Sequence, residues 1–237
     1  SITDNKQENR TGVFRRLETT PTWSCSTNKK WPSYLLSLGF FICALFSKTT
    51  TASFPFAILL ILWARNIKIT LREILRLAPF VATGISAGLY TQWFEKIFVG
   101  AQGKHWDFSF SERILIAGRA LWFYPKKLFW PSNLSFFYTP WKNNTENVLE
   151  YIPALTFLLL ICLCLLMRKE WGRGPLALLL FYVISIFPAL GFINIETMRY
   201  AFVADHYQYL ASVGWIILFV GGIYFISQRL FKYQRII

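Results

Sequence analysis

The sequence predicts an all-α fold: a polytopic membrane helix bundle with six crossings, two of them short and paired as a hairpin, plus one interfacial amphipathic helix. Three observations predict it. Hydrophobic residues make up 54% of the 237 and charged residues only 16%, where a soluble domain carries about 25% charged. Several apolar runs approach the roughly 20 residues that a spanning helix needs. The basic residues gather in short loops on one side of those runs, so the net charge of +13 reads as a topology signal. The same numbers exclude a disordered polyelectrolyte, which needs low hydrophobicity, and argue against a nucleic-acid partner.

The elements follow in order. Residues 1–30 are polar and mixed in charge, without the apolar core of a signal peptide; they predict a flexible tail. Residues 31–228 form the transmembrane domain, and 229–237 a basic cytoplasmic tail. Tyr34–Ala64 is apolar at both ends but broken by Ser47-Lys48-Thr49-Thr50-Thr51 and by Pro55, which predicts two short helices, Tyr34–Phe46 and Phe54–Ala64. Such a break is tolerated in a membrane only within protein or a wet cavity. Ile74–Phe94 is slightly more polar, with no charge between Arg76 and Glu95. Tyr151–Met167, Pro175–Ile195 and Leu210–Ser227 are the clean runs.

Ser111–Trp130 decides the topology. It holds Glu112, Arg119 and Lys126 seven apart, hence on one helix face, with Trp122, Tyr124 and Trp130 suited to headgroup depth. That pattern predicts an amphipathic helix in the interface rather than a span. With the tail inside and this helix not crossing, 16 of the 25 Lys and Arg fall on the cytoplasmic side, as the positive-inside rule asks. Both termini are then cytoplasmic.

The four cysteines, Cys25, Cys43, Cys162 and Cys164, lack paired metal spacing. His105 and His206 are far apart in sequence, so neither a metal nor another cofactor is expected. No Gly-rich phosphate loop and no nucleophile elbow occurs. Chemistry is therefore sought among the charges of the outer loops. Lys48 interrupts two half-length apolar helices, where an ammonium is costly unless paired or hydrated. It reads either as a snorkelling side chain or as an anion contact. Arg119 and Lys126 share one face at headgroup depth and suit a lipid phosphate or ordinary anionic lipid. Arg199, Asp205 and His206 form a third group before the last helix.

Three strings carry a resemblance. They are Phe46-Ser47-Lys48-Thr49-Thr50-Thr51 with Pro55; Gly118-Arg119-Ala120-Leu121-Trp122-Phe123-Tyr124 with Leu128-Phe129-Trp130-Pro131-Ser132-Asn133-Leu134-Ser135; and Ala204-Asp205-His206-Tyr207-Gln208-Tyr209-Leu210-Ala211-Ser212-Val213-Gly214. In this order they resemble the later transmembrane portion of bacterial tetratricopeptide-repeat membrane proteins, over about residues 31–227. Those proteins are similar to the transmembrane-and-tetratricopeptide-repeat O-mannosyltransferases, and both groups resemble GT-C glycosyltransferases, which take sugar from a polyprenyl phosphate. The resemblance implies a polyprenyl-phosphate sugar donor, with Lys48, Arg119 and Lys126 serving the phosphate and Arg199, Asp205 and His206 lining the same outer cavity. Fixed cations would stabilise the charge on a leaving lipid phosphate.

The departures set the expectation of an incomplete enzyme. GT-C enzymes carry a catalytic carboxylate in their first large outer loop, whereas the first outer element here, Ser47–Ala52, has no Asp or Glu. The catalytic residue is therefore unassigned. The partners expected are membrane lipid, the sugar donor, and a separate N-terminal half or tetratricopeptide-repeat protein. Two other functions fit the sequence: an inert membrane remnant, and a small transporter or channel subunit, the latter motivated by the broken hairpin.

Overall fold

The computed structural model describes residues 30–101, 103 and 106–234. The predicted tail (all but Lys30), Cys25, His105 and the last three residues lie outside the described residues. Two compact units are present, Ser1–Phe40 and Phe41–Ile237. Of the first, only the opening turns of a helix are described, where Trp31 meets Tyr34 edge to face and Ser37 Oγ donates to the Tyr34 carbonyl.

Among the described residues there are seven α-helices and no strand: α1 Lys30–Ser47, α2 Phe54–Ala64, α3 Leu71–Phe94, α4 Phe110–Phe129, α5 Ile152–Leu166, α6 Gly174–Ile186 and α7 Ser212–Gln234. Their starts follow from local chemistry. Helices α2, α5 and α6 each carry a proline in the first turn (Pro55, Pro153 and Pro175), where its fixed φ suits the helix and its missing N–H costs nothing. Helices α3 and α4 open on capping boxes, Thr70 with Glu73 and Ser109 with Glu112, each satisfying two orphan donors.

Two helical stretches are long and apolar enough to cross a membrane. Leu71–Val99 spans 29 residues and Val148–Lys169 spans 22, each counting short non-α turns at its ends. Both stretches present large apolar side chains outward: Leu75 is 63% exposed and Leu89 61%, Leu159 57% and Leu166 74%. A core helix of a soluble protein would bury such side chains. Four shorter apolar stretches accompany them, Trp31–Ser47, Thr49–Ala64, Gly174–Ala189 and Ser212–Gln228.

The break at Lys48 is present. Helix α1 stops at Ser47, a 3-10 turn covers Thr49–Ser53, and α2 begins at Phe54. The turn packs on α3, where a Cβ at Gly84 would sit 3.3 Å from the Ala52 Cβ. Protein, rather than open lipid, thus surrounds the polar residues Thr50 and Ser53, and Ser53 Oγ donates to the Thr50 carbonyl at 2.9 Å.

The run Pro175–Ile195 behaves differently from its sequence. Its α-helix ends at Ile186 after 13 residues, followed by a 3-10 turn at Phe187–Ala189. Pro188 cannot donate to the helix ladder, and Gly191 then takes φ 89° and turns the chain. Residues 190–204 leave the helix and pack across α4. Leu190, Met198, Phe202 and Val203 are buried there, around Ile116, Ala120 and Trp106.

Helix α4 is the centre of the second unit. Leu115, Ile116 and Ala120 are fully buried, and α4 packs chiefly on α5. Gly118 makes this possible, because a Cβ there would meet the Ala154 backbone and Cβ at 2.7 Å. Tyr182 of α6 donates its hydroxyl to the Leu121 carbonyl at 2.8 Å, pinning α6 to the same helix.

Candidate functional site

The outward face of α4 carries Arg119, Trp122, Phe123 and Lys126. With Trp141, Ile152, Pro153 and Thr156 they line a wide-open, shallow cavity of about 450 Å³. Its walls are mostly aromatic and aliphatic, and its two charges are both positive. The walls are fixed: Trp122 Nε1 donates to the Pro153 carbonyl at 3.0 Å and to Thr156 Oγ1 at 3.1 Å.

The two cations differ in what they already hold. Arg119 makes an ion pair with Glu150 at 3.0 Å and donates to the Lys142 carbonyl and to Asn143 Oδ1, both at 3.2 Å. It also lies over the Trp141 ring. Its Nε–H and second Nη2–H take no partner among the described residues, so the fork is oriented but not used up. Lys126 is exposed, and its ammonium takes no protein partner among the described residues. An oriented guanidinium and a free ammonium on one apolar wall make a place where a phosphate meets two positive charges while an attached hydrocarbon meets aromatic rings.

A second cavity, about 470 Å³, lies on the other side of Lys126 and Phe123, which line both. The loop after α4 builds it, with Lys127, Trp130, Ser132, Asn133, Phe137, Tyr138 and Thr139 among its lining. Lys127 holds this loop by donating to the Ser132 and Asn133 carbonyls, while its ammonium lies 5.0 Å from the Tyr138 ring centroid.

Asp205 and His206 fasten the same loop from the other side. Tyr138 donates its hydroxyl to Asp205 Oδ2 at 2.8 Å, and Phe136 stacks on His206 at 5.1 Å. Desolvation first, and then the bond to Asp205, pushes the Tyr138 phenol above its ordinary value. Asp205 Oδ1 is buried without a hydrogen-bond partner. Beneath it lies Tyr124, fully buried, its phenol pushed far up by burial. Thr197 Oγ1 and the Tyr207 hydroxyl, 2.6 Å apart, tie the neighbouring turn.

The six predicted residues therefore fall into three places. Arg119 and Lys126 line one cavity together. Asp205 and His206 brace the loop that walls the second. Lys48 and Arg199 line neither cavity: the Lys48 ammonium sits 4.4 Å from the Tyr209 ring centroid, and Arg199 pairs loosely with Glu196 at 3.9 Å and lies over Tyr200. Neither of these two cavities is lined by all six. Among the described residues no group of three His, Cys, Asp or Glu side chains is placed to hold a metal ion.

Sequence reasoning missed the positioning roles of two residues. Glu112 completes the α4 capping box, accepting from the Ser109 amide at 2.7 Å; the spacing Ser-x-x-Glu before an apolar run was its signal. Arg113 donates to the carbonyls of Trp106, Phe108 and Gly191 and to Asn194 Oδ1. That clamp joins the start of α4 to the stretch after α6, and no local pattern announces it. No family model, curated protein or solved structure matches the chain.

Proposed function

We propose that this chain is an integral membrane protein of the bacterial inner membrane, equivalent to the later transmembrane portion of a GT-C-type glycosyltransferase. On this reading it makes six crossings, keeps both termini in the cytoplasm and holds a polyprenyl-phosphate sugar donor at its outer face. The observation that carries the reading is the cavity on α4, where Arg119 and Lys126 flank an aromatic wall. The apolar side chains exposed along Leu71–Val99 and Val148–Lys169 support the membrane placement. The three strings quoted above support the family.

A leaving polyprenyl phosphate gains negative charge, and cations already in position stabilise it without reorganising. Arg119 and Lys126 supply that term. The carboxylate that such enzymes carry in their first large outer loop is unassigned among the residues of this chain.

The test is a titration of undecaprenyl phosphate into the full chain in phosphatidylcholine nanodiscs, followed by the fluorescence of Trp122 and Trp141. Saturable quenching that Lys126→Ala weakens by about tenfold, roughly 1.4 kcal/mol, is the expected result. Quenching that never saturates, or that Lys126→Ala leaves unchanged, refutes the site.

A further inference from the structure

Two connections distant in sequence meet at the opposite end of α5 from the first cavity. Helix α2 stops where Asn66 takes φ 57° and the Ile67 amide donates back to the Leu62 carbonyl at 3.0 Å, a left-handed stop of the kind that glycine or asparagine supplies. Residues 67–70 then run without helix until the Thr70 cap opens α3. Arg173, just before α6, donates to the Trp63 carbonyl at 3.1 Å and lies over the Trp63 ring. That clamp sets the connection between α2 and α3 beside the connection between α5 and α6.

Both connections are basic. Positions 65–76 and 168–173 hold seven Lys and Arg against two carboxylates, Glu73 and Glu170. Glu73 is committed to the Thr70 cap. The side chains of Arg65, Lys68, Arg72, Arg168 and Lys169 are exposed and take no protein partner among the described residues. Between these cations stand Ile67, Ile69, Leu71 and Trp171, all of them exposed as well. Positive charge alone is what the positive-inside rule asks of such loops. The apolar side chains set among the cations are what it does not ask for. A nucleic acid or an acidic protein would meet the cations and leave those side chains in water. A bilayer surface rich in anionic lipid takes both, with headgroup phosphates on the cations and the acyl boundary on the isoleucines, leucine and indole.

We propose that these two connections form one composite surface for the headgroup of an anionic phospholipid. Lys68, Arg72, Arg168 and Lys169 meet the phosphate, and Ile67, Ile69 and Leu71 enter the acyl boundary beside it. The bond from Arg173 to Trp63 holds the two sets of cations together. The surface rests on the membrane placement above and is independent of the glycosyltransferase reading. It is also remote from the cavity on α4: Ile152 and Pro153 at the start of α5 line that cavity, and Arg168 follows the other end of the helix, about 22 Å away along its axis.

The experiment is native mass spectrometry of the detergent-solubilised full chain. The probes are phosphatidylglycerol, cardiolipin, phosphatidylcholine and undecaprenyl phosphate, with glycerol phosphate as a headgroup without acyl chains. The variants are Lys68→Gln with Arg72→Gln, Arg168→Gln with Lys169→Gln, Ile67→Ser with Ile69→Ser, and Lys126→Ala. Each must retain the wild-type thermal transition. The expected result is that the wild type holds the two anionic phospholipids about tenfold tighter than phosphatidylcholine, and that each of the three loop variants removes most of that preference while Lys126→Ala leaves it intact. Phosphatidylcholine held as tightly as the anionic lipids overturns the surface, and undecaprenyl phosphate bound in the same spectra leaves the α4 site standing. A preference that survives both pairs of charge substitutions, or that Lys126→Ala removes, also overturns it. Displacement of the anionic lipids by glycerol phosphate assigns the binding to a free phosphate and overturns the lipid. A preference lost in the loop variants, with undecaprenyl phosphate not bound at all, supports the surface and refutes the α4 site.

Discussion

Arg119 and Lys126 carry like charges on one cavity wall, but they are not equivalent. Glu150 compensates Arg119, and both side chains are partly exposed, so the pair contributes at most about 1 kcal/mol to stability. Replacing Glu150 with Gln should therefore cost little stability in a detergent melt while tightening binding of an anionic headgroup, because it frees the guanidinium. A weaker anion affinity in Glu150→Gln would show that Glu150 orients Arg119 rather than competing for it. Tyr138 gives a pH test. Its phenol is raised in the fold, so folding favours the protonated form. That contribution is complete below about pH 10, the ordinary phenol value, and is lost as pH rises through the higher folded value. Stability of the wild type should fall more steeply above pH 10 than that of Tyr138→Phe. Equal slopes would mean that the Tyr138–Asp205 bond does not hold the loop in solution.

Helix α4 is the element on which the rest depends. The signal for its start, Ser109-x-x-Glu112, went unread in the sequence, and removing that cap with Ser109→Ala should cost about 0.5–2 kcal/mol in an unfolding titration. Its packing was less legible. Seven-residue spacing put Arg119 and Lys126 on one face, and both line the same cavity, but only the close approach of Ala154 explains Gly118. Gly118→Val should destabilise by at least about 1–3 kcal/mol through overpacking, read as a lower melting temperature. An unchanged melting temperature would deny the contact between α4 and α5. The break between α1 and α2 was readable because a charge and three threonines interrupt apolar runs. The early end of α6 was not, because Leu190 and Ile195 keep the hydropathy high after Pro188 and Gly191 have ended the helix. Apolar composition cannot separate a membrane run from a loop buried in protein, and residues 190–204 are the latter.

At the scale of the molecule, the charge count and the outward apolar side chains both support a membrane setting. The sequence placed chemistry on the outer side by charge alone. The structure separates that charge by what each group already holds: Lys48 on Tyr209, Arg199 beside Glu196, Asp205 on Tyr138, with Lys126 left free. Partner identity across loops distant in sequence is a tertiary property, which is why a list of candidates could not be ranked from residues alone. The proposed sidedness has its own test in a cysteine-free background. Thiol labelling of Lys142→Cys should proceed in intact spheroplasts, and labelling of Glu170→Cys should require permeabilisation. The reverse pattern would invert the topology and put the cavity on the cytoplasmic side.

The central claim is that a polyprenyl phosphate occupies the cavity on α4. It is tested most directly by photo-crosslinking a diazirine-bearing polyprenyl phosphate to the chain in nanodiscs and mapping the adducts by mass spectrometry. The account predicts adducts concentrated at Trp122, Phe123, Trp141 and Ile152 and lost in the presence of excess unlabelled lipid. Adducts spread over the exposed apolar side chains of α3 and α5, and not competed away, would contradict it.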